Sequence, residues 1–420
     1  MSKYDVNNFI RGFTQLCEET EIPSSFAAWS AIAGVSCALG RRCYLDWGTF
    51  QIYPNEYICF VGASAVVRKS TSINMLEDML REIDPPPNII GQKLTPEALI
   101  IGIQTKEPPS GTLVSKPVSC TGFIIADEFG TLLSKQTYEM GISPVLIQFY
   151  DCKRVFEYKT KTSGIDILRD TCLGILAGTT LIWMSRSIPE DAIGDGLTSR
   201  IIFVYEDQPM PPVAVPVFSE AKRHLRGELI KRLQLLSQIK GEFFLTREAI
   251  DYAVKDYNEF RDSKLGKMLY ANKFLQGYAG RRQLHQLKIS MLIAAARLKS
   301  PEQDKLITLD DMQGATELLQ MTEKALTKVV KIITSSQQGI LIAEIESHIR
   351  KGTPVDDPTK SGRKAWAYSR QQLVRELYSR YSVHEVELAL ETLKQAGILH
   401  QMTTSDGKLL LVLTNFELDL

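Results

Sequence analysis

The stretch YICFVGASAVVRKSTSINMLED, residues 57–78, decides the fold predicted for this chain. Its first five residues, Tyr57–Val61, are apolar and rich in β-branched and aromatic side chains, which predicts a buried strand. A loop of small residues begins at Gly62 and leads to Lys69, and apolar residues then recur at helical spacing from Ile73. This is the layout of a phosphate-binding loop. Its backbone N–H groups and helix N-terminus hold phosphate oxygens, its lysine neutralises charge, and a hydroxyl binds Mg²⁺.

The loop departs from the usual glycine-rich pattern. Counted from Gly62, the second glycine and the lysine would fall at positions 67 and 68, where the chain has Val67 and Arg68. A loop one residue longer makes Lys69 the phosphate lysine, and the plain alternative is an ordinary strand–helix turn. The candidate nucleotide-binding residues are Gly62, Ser64, Arg68, Lys69, Ser70 and Thr71, with Thr71, or Ser70 in its place, at the metal.

The composition limits which classes of protein this chain can belong to. The 420 residues contain 49 basic and 49 acidic side chains, so the net charge is zero and any DNA contact must come from local patches. Seven cysteines are scattered singly without a CxxC pair, which predicts reduced, mostly buried thiols rather than a disulfide frame or a zinc site. With no signal peptide and no apolar run of membrane length, we expect a cytoplasmic protein without membrane contact.

An acidic pair follows the second predicted strand. The segment GFIIADEF, residues 122–129, runs from four apolar residues into Asp127 and Glu128. Open α/β sheets place their chemistry at the carboxyl ends of such strands. In a P-loop ATPase the first carboxylate holds Mg²⁺ through water and the second polarises the attacking water. Since an apolar run ending in Asp-Glu is also common in plain strands, the pair gains its meaning from the upstream loop.

Further polar residues follow at intervals expected of the same site. A buried strand at 172–178 ends in Thr179 and Thr180, either of which could sense a γ-phosphate. Arg200 precedes another strand, where it is either a surface ion pair or a cation that reaches the nucleotide of a neighbouring subunit. Residues 150–170 read as a basic β-hairpin, either simply solvated or gripping a phosphate backbone. Its cations are Lys153, Arg154, Lys159 and Lys161.

The chain divides into four predicted segments. They are an N-terminal helical segment (1–50), a P-loop ATPase core with a parallel αβα sheet (51–212), a helical lid (213–334) and a winged-helix domain (335–420). The proline-rich stretch PMPPVAVPVF, residues 209–218, separates core from lid. In the last segment we predict a helix, a polar loop (352–367), two helices and a hairpin, with Ser382 and Glu385 as a capping box. Because its third helix is acidic, both DNA contact and protein docking remain open.

Taken together, these motifs resemble AAA+ helicases of the minichromosome-maintenance (MCM) type and their phage and mobile-element relatives. ADEFGTLLSK (126–135) looks like the family's acidic motif, SRIIFV (199–204) resembles its arginine-finger motif, and RRQLHQL (281–287) resembles its sensor-2 helix. The resemblance assigns Arg200 and Arg282 to action across subunits and puts Thr179 where the family has a sensor asparagine. It also makes residues 92–119, with Lys106 and Lys116, a helix-2 insert, and the hairpin with Lys159 and Lys161 a DNA-tracking element.

The resulting hypothesis is a ring-shaped, ATP-dependent DNA helicase or translocase that uses Mg²⁺ and serves replication of a phage or mobile element. We expect a homo-oligomer, with a hexamer favoured, that holds single-stranded DNA in its pore, with duplex DNA as the alternative. A primase or loader is a possible partner, and a bacterial host cytoplasm is the expected location. The alternative is a nucleotide-gated DNA-binding initiator or scaffold with weak or no hydrolysis. A third hypothesis is an ATPase that acts on protein in phage defence or regulation.

Overall fold

The computed structural model describes residues 5–64, 66–91, 94–104, 120–160, 164–181, 183–184, 196–215, 217–272, 274–334, 337–350, 352–356, 364–378, 380–403 and 409–413. The chain forms two compact units, Met1–Val330 and Lys331–Leu420. All seven cysteines are buried free thiols, as the sequence predicted. Across the ranges given above, no helix is long and apolar enough to cross a membrane.

The first unit contains both helices and strands, and its last helix (Leu309–Thr334) continues past the end of the unit at Val330. Its helices are α1 (Phe9–Cys17), α2 (Ser24–Leu39), α3 (Lys69–Arg81), α4 (Pro96–Ile103), α5 (Lys135–Glu139), α6 (Ile142–Tyr150), α7 (Glu220–Leu236), α8 (Arg247–Asp262), α9 (Lys264–Ala271), α10 (Gln276–Ala296) and α11 (Leu309–Thr334). Its strands are β1 (Cys43–Asp46), β2 (Gln51–Ile52), β3 (Tyr57–Val61), β4 (Ile89–Ile90), β5 (Thr121–Ala126), β6 (Val155–Thr160), β7 (Gly164–Arg169), β8 (Cys172–Thr179), β9 (Ile201–Tyr205), β10 (Gly241–Leu245) and β11 (Leu306–Ile307).

The central sheet has five strands in the order β4-β5-β8-β3-β9, and every pair is parallel. The predicted mixed α/β fold with a parallel sheet is therefore confirmed. All residues of β3 and β8 are buried, as expected for strands covered on both faces by helices. Strand β8 lies between β3 and β5, so the predicted polar residue at its end falls between the loop after β3 and the acidic pair after β5.

The N-terminal helices belong to the core of this unit. One hydrophobic cluster combines α1 and α2 with the sheet and with α7 and α10. Helix α2 packs between α3 and the sheet, where Phe26 stacks on Phe60 of β3 at 4.4 Å and Ser30 hydrogen-bonds Ser72 of α3 at 2.8 Å. A second sheet, ordered β11-β10-β1-β2, joins the N-terminal segment to the helical segment that follows residue 213.

Strands β6 and β7 pair in register as an antiparallel hairpin, with Lys159 opposite Ile165. The sequence predicted this hairpin, and its existence is confirmed. It starts directly after a turn at Cys152, whose φ of 51° is left-handed. Backbone bonds from Asp170 to Arg154 (2.9 Å) and from Thr171 to Lys153 (3.1 Å) close its base against β8.

The second unit has its own core. Its elements are α12 (Gln337–Ile349), β12 (Thr353–Asp356), β13 (Lys364–Ser369), α13 (Arg370–Leu377), α14 (Val383–Gln395), β14 (Leu399–Thr403) and β15 (Leu409–Leu413), with sheet order β12-β13-β15-β14. The predicted capping box at Ser382 and Glu385 is confirmed. The polar loop predicted for 352–367 is wrong in part, because β12 and β13 pair there. Alternation places Ala365 and Ala367 in one core cluster while Trp366 packs against another.

Candidate functional site

Three strand ends meet at one edge of the central sheet. In the parallel register Val61 at the end of β3 pairs with Thr179, and Ala126 at the end of β5 pairs with Ala177. The loop after β3, the acidic pair after β5 and the end of β8 therefore lie side by side. This carboxyl edge is where open α/β sheets bind ligands. The residues predicted to bind phosphate, hold the metal or activate water all lie at this edge. Arg200 and Arg282, predicted to act across subunits, do not.

The loop between β3 and α3 is tightly packed at its start. A Cβ on Gly62 would lie 2.5 Å from Val67 Cγ2 and 2.6 Å from the carbonyl oxygen of Glu206, so only glycine fits. At the other end Arg68 has φ 49° and ψ 36°, a left-handed backbone that glycine adopts without strain. Arg68 therefore takes the conformation expected of the missing second glycine. Its side chain forms an ion pair with Glu21, while Ser64 is exposed.

Lys69 begins α3 and points back into the loop. Its Nζ donates hydrogen bonds to the carbonyl oxygens of Gly62 (2.7 Å) and Ala63 (3.1 Å), and the side chain is buried. Burial lowers the pKa of Lys69, and the nearby Glu128 carboxylate opposes that shift. The lysine thus occupies the concave side of its loop with carbonyl partners alone. Phosphate oxygens, being anionic acceptors, would form stronger bonds with the same ammonium group.

Asp127 and Ser70 form the part of the site that fits a metal ion. Burial raises the pKa of Asp127, a hydrogen bond from Ser70 opposes the shift, and Glu77 adds to it. The Oδ1 atom of Asp127 is buried and has no hydrogen-bond partner. Ser70 and Thr71 are both exposed, and of these two predicted hydroxyl ligands Ser70 is the one that hydrogen-bonds the Asp127 carboxylate.

The donor chemistry suits Mg²⁺. This ion takes one or two carboxylates together with substrate phosphates and water rather than an all-protein cage. Among the described residues no group of three or more His, Cys, Asp or Glu side chains could hold a metal ion. One carboxylate with an unpaired buried oxygen and one hydroxyl match the smaller requirement of Mg²⁺.

Glu128 and Thr179 form a second polar pair beside Asp127. Thr179 is buried, and its Oγ1 donates a hydrogen bond of 3.0 Å to Glu128 Oε1. The close approach of β8 and the acidic pair depends on Gly178, where a Cβ would lie 3.0 Å from the carbonyl oxygen of Asp127. Thr179 therefore fixes the direction of the Glu128 carboxylate, a contact that the sequence did not predict.

Arg200 lies at the opposite edge of the sheet, before β9. Its Nε and Nη2 bond Asp151 Oδ1 (3.1 Å) and Oδ2 (2.7 Å), and its Nη1 donates to the carbonyl oxygen of Gly196 (2.7 Å). Arg281 lies 3.9 Å from the same Asp151. Burial and the charge of Arg200 both lower the pKa of Arg281. Two arginines thus share one carboxylate, and the side chain of Arg281 is 31% exposed.

Arg282 has a different environment from its neighbour. Its side chain is 4% exposed and bonds Glu323 (2.7 Å) and Asp256 (2.6 Å), and its guanidinium lies 4.2 Å from the centre of the Phe260 ring. These contacts tie α10 to α8 and α11. No local signal in the sequence separates Arg281 from Arg282, since the two are adjacent and chemically identical. Only the helix phase, fixed by packing, distinguishes them.

The same helix carries His285 to the sheet. Its Nδ1 lies 3.1 Å from Glu56 Oε2, and its Nε2 lies 3.1 Å from the carbonyl oxygen of Ser199. All of these groups are buried. His285 therefore links α10 to the residue before Arg200, a positioning role that the sequence analysis missed.

The predicted DNA-contacting lysines are placed only in part. Lys159 lies in β6 and its backbone is described, but its side chain is not. Lys161, Lys106 and Lys116 lie outside the described residues. A comparison of the chain with protein-family models finds no match, and none of the curated proteins compared with it matches either.

Proposed function

We propose that this chain hydrolyses ATP and uses the reaction, as a ring-shaped oligomer, to move along DNA. The observation that supports the proposal is the convergence of Lys69, the Ser70–Asp127 pair and the Thr179–Glu128 pair at one edge of a parallel sheet. A cation, a hard-metal ligand pair and an oriented carboxylate are the parts that phosphoryl transfer to water requires.

In this proposal each residue has one task. Lys69 exchanges the carbonyl oxygens of Gly62 and Ala63 for phosphate oxygens, and the free N–H groups at the start of α3 bind the same anion. Ser70 and Asp127 hold Mg²⁺, which when bound neutralises charge on the phosphate oxygens. Glu128 orients a water molecule and accepts its proton, and Thr179 keeps the carboxylate in place.

Glu128→Gln tests the proposed base. The amide keeps the shape of the side chain but cannot accept a proton, so steady-state ATP hydrolysis should fall about 10²- to 10⁴-fold. Binding of a fluorescent ATP analogue should be unchanged. Glu139→Gln, an exposed position on the nearby helix α5, is the matched control and should hydrolyse ATP at the wild-type rate. A Glu128→Gln protein that retained wild-type turnover would remove Glu128 from the mechanism.

The position of Arg200 is the reason for proposing an oligomer. The five residues of β9 separate it from the carboxyl edge of its own sheet, a distance of about 16 Å at about 3.3 Å per residue. That exceeds the reach of an arginine side chain, so any action of Arg200 on a nucleotide would be on that of another copy. Arg200 is itself buried and bonded to Asp151, and this action requires that ion pair to open. We include Arg281 in this role because it is exposed beside Arg200, and we leave Arg282 as a structural residue because two carboxylates hold it.

Mixing inactive variants tests the shared site. Arg200→Ala and Lys69→Ala should each abolish hydrolysis by a homogeneous oligomer. In a mixed oligomer, an intact loop of one subunit can face an intact Arg200 of its neighbour, so a fraction of the activity should return. Mixing Lys69→Ala with Glu128→Gln should restore nothing, because both substitutions damage the same half of the site. Equal behaviour of the two mixtures would rule out a trans-acting Arg200.

The alternative, a nucleotide-gated DNA-binding initiator or scaffold with little hydrolysis, also has an observation in its favour. Lys69 is satisfied by its own loop, and Arg68 replaces the flexible glycine before it. An ATPase assay with and without single-stranded DNA separates the two functions. A motor should hydrolyse ATP faster with the strand present, whereas an initiator should bind ATP and DNA with little turnover. Under either function we expect the protein in the cytoplasm.

A further inference from the structure

A groove opens at the edge of the sheet away from the proposed nucleotide site. Two adjoining cavities of about 470 Å³ and 330 Å³ share Phe50, Tyr53 and Lys153 among their lining residues. One wall is the β1–β2 hairpin, and the other is the turn before β6. The nucleotide-binding loop and the acidic pair do not line this groove, whereas Arg281, proposed above to act on another copy, lies at one end of it.

The turn that carries the groove's cations is rigid. Arg41 Nη1 donates hydrogen bonds of 2.8 Å to the carbonyl oxygens of both Cys152 and Thr171. Together with the bonds that close the hairpin base, these contacts fix the backbone of Lys153 and Arg154 while their side chains remain exposed. The two cations are therefore presented from a fixed support rather than from a loop tip.

The groove has an excess of positive charge. Within the described ranges no carboxylate pairs with Lys153 or Arg154. Two acidic side chains line the groove, and each already has a partner: Asp151 bonds Arg200, and Asp46 accepts the N–H of Gly48. Anionic groups could thus approach Lys153 and Arg154 without displacing an ion pair.

Aromatic rings stand next to these cations. Phe50, in the β1–β2 turn, is 53% exposed, although its side chain is large and apolar. Tyr53 lies beneath the guanidinium of Arg41, which is 4.2 Å from the ring centre, and its hydroxyl donates to Gln51 Oε1 at 2.8 Å. Exposed ring faces beside unpaired cations are the combination that binds unpaired bases and their phosphates.

We propose that this groove binds a single-stranded polynucleotide, with phosphates on Lys153 and Arg154 and a base stacked on Phe50. A duplex would not serve, because its base faces are covered by neighbouring pairs. The proposal extends the suggested motor by a strand contact at the base of the β6–β7 hairpin, on a surface separate from the hairpin's tip.

The test is equilibrium binding of a fluorescent oligothymidylate of roughly 16 nucleotides, the upper site size of a single-strand-binding domain. Phe50→Ala should weaken binding about 5- to 150-fold, the loss of one stacked base, without changing its salt dependence. Lys153→Ala with Arg154→Ala should reduce the slope of log K against log salt by about 1.4, since each single-strand phosphate contributes about 0.7. Phe244→Ala is the matched control, because Phe244 is also 53% exposed and is not among the residues that line the groove.

The outcomes separate this site from the proposed hydrolysis. Wild-type binding by all three variants would overturn the proposal that the groove binds a single strand, whether or not the protein hydrolyses ATP. Loss of binding by Phe50→Ala and the double variant alone would establish it, even if the wild-type protein proved to have no ATPase activity. Equal weakening by Phe244→Ala would show a non-specific effect and overturn the assignment to Phe50.

Discussion

Arg68→Gly tests the strain in the loop before α3. Arg68 holds a left-handed backbone, with φ 49° and ψ 36°, which costs a non-glycine residue roughly 1–2 kcal/mol. Glycine removes that cost but gives the unfolded chain more freedom, which offsets about 0.5–1 kcal/mol. The ion pair with Glu21 is lost as well, so the comparison must be made with Arg68→Ala, which loses the same pair and keeps the strain.

The difference in unfolding free energy between Arg68→Gly and Arg68→Ala has a predicted sign. Arg68→Gly should be more stable than Arg68→Ala by about 0.5–1 kcal/mol, the strain released less the entropy lost. At an exposed position inside a regular helix the order is reversed, with glycine about 1 kcal/mol less stable than alanine. Lys255 in α8 provides that control, because its side chain is 69% exposed.

The assay is urea unfolding of the four variants followed by circular dichroism, with Glu21→Gln added to each Arg68 variant. Since backbone strain does not depend on the ion pair, the difference between glycine and alanine should persist in the Glu21→Gln background. If Arg68→Ala proved as stable as Arg68→Gly, or more so, the left-handed conformation would not be strained and the reasoning about the missing glycine would fail.

Three further predictions concern the site and the two arginines. Asp127→Asn should raise the melting temperature of the nucleotide-free protein at neutral pH, because burial raises the pKa of Asp127 and its ionised form is disfavoured in the fold. The higher melting temperature of the asparagine variant should approach that of the wild type as the pH falls through that raised pKa. A difference in melting temperature that did not depend on pH would contradict burial of the charge as its cause. Thr179→Val should lower kcat up to about 100-fold, because it removes the hydrogen bond that orients the Glu128 carboxylate, with ATP affinity unchanged. Thr179→Ser keeps the hydroxyl and should retain most activity. Equal kcat values for Thr179→Val and the wild type would remove this hydrogen bond from the mechanism. Arg282→Ala should destabilise the fold by about 3–5 kcal/mol, since it leaves the buried Glu323 carboxylate and the nearby Asp256 carboxylate without their cation. Arg281→Ala should leave the melting temperature nearly unchanged and reduce hydrolysis, and the opposite pattern would exchange their roles.

Much of the sheet could be predicted because its signals are local. The apolar run Tyr57–Val61, the segment 122–126 before the acidic pair and the run 172–179 are each short, apolar and bounded by turns, and each is a buried strand. Thr95 and Ser382 predict the starts of two helices, because such side chains accept hydrogen bonds from backbone N–H groups in the first turn, and both caps form. Such features depend only on neighbours a few residues away.

The contacts that define the candidate site could not be predicted. Thr179 and Glu128 are far apart in the chain and meet only because β8 lies next to β5. The choice of Ser70 over Thr71 depends on the phase of α3 against the acidic strand. Likewise, Arg200 lies at the edge opposite Lys69 because β9 pairs parallel to β3, so that a residue before β9 and a residue after β3 lie at opposite ends of the two strands.

The amino-acid order by itself determined three buried strands of the central sheet, where the loop after β3 begins and which carboxylates follow a buried strand, because steric and hydrogen-bonding preferences act over a few residues. Tertiary packing alone decided that Arg282 is a buried structural ion pair while Arg281 stays exposed, and that Phe50 and Lys153 share a groove. The physical reason is that burial and charge pairing arise between surfaces brought together by the whole fold, and identical neighbouring residues differ only in which surface they meet.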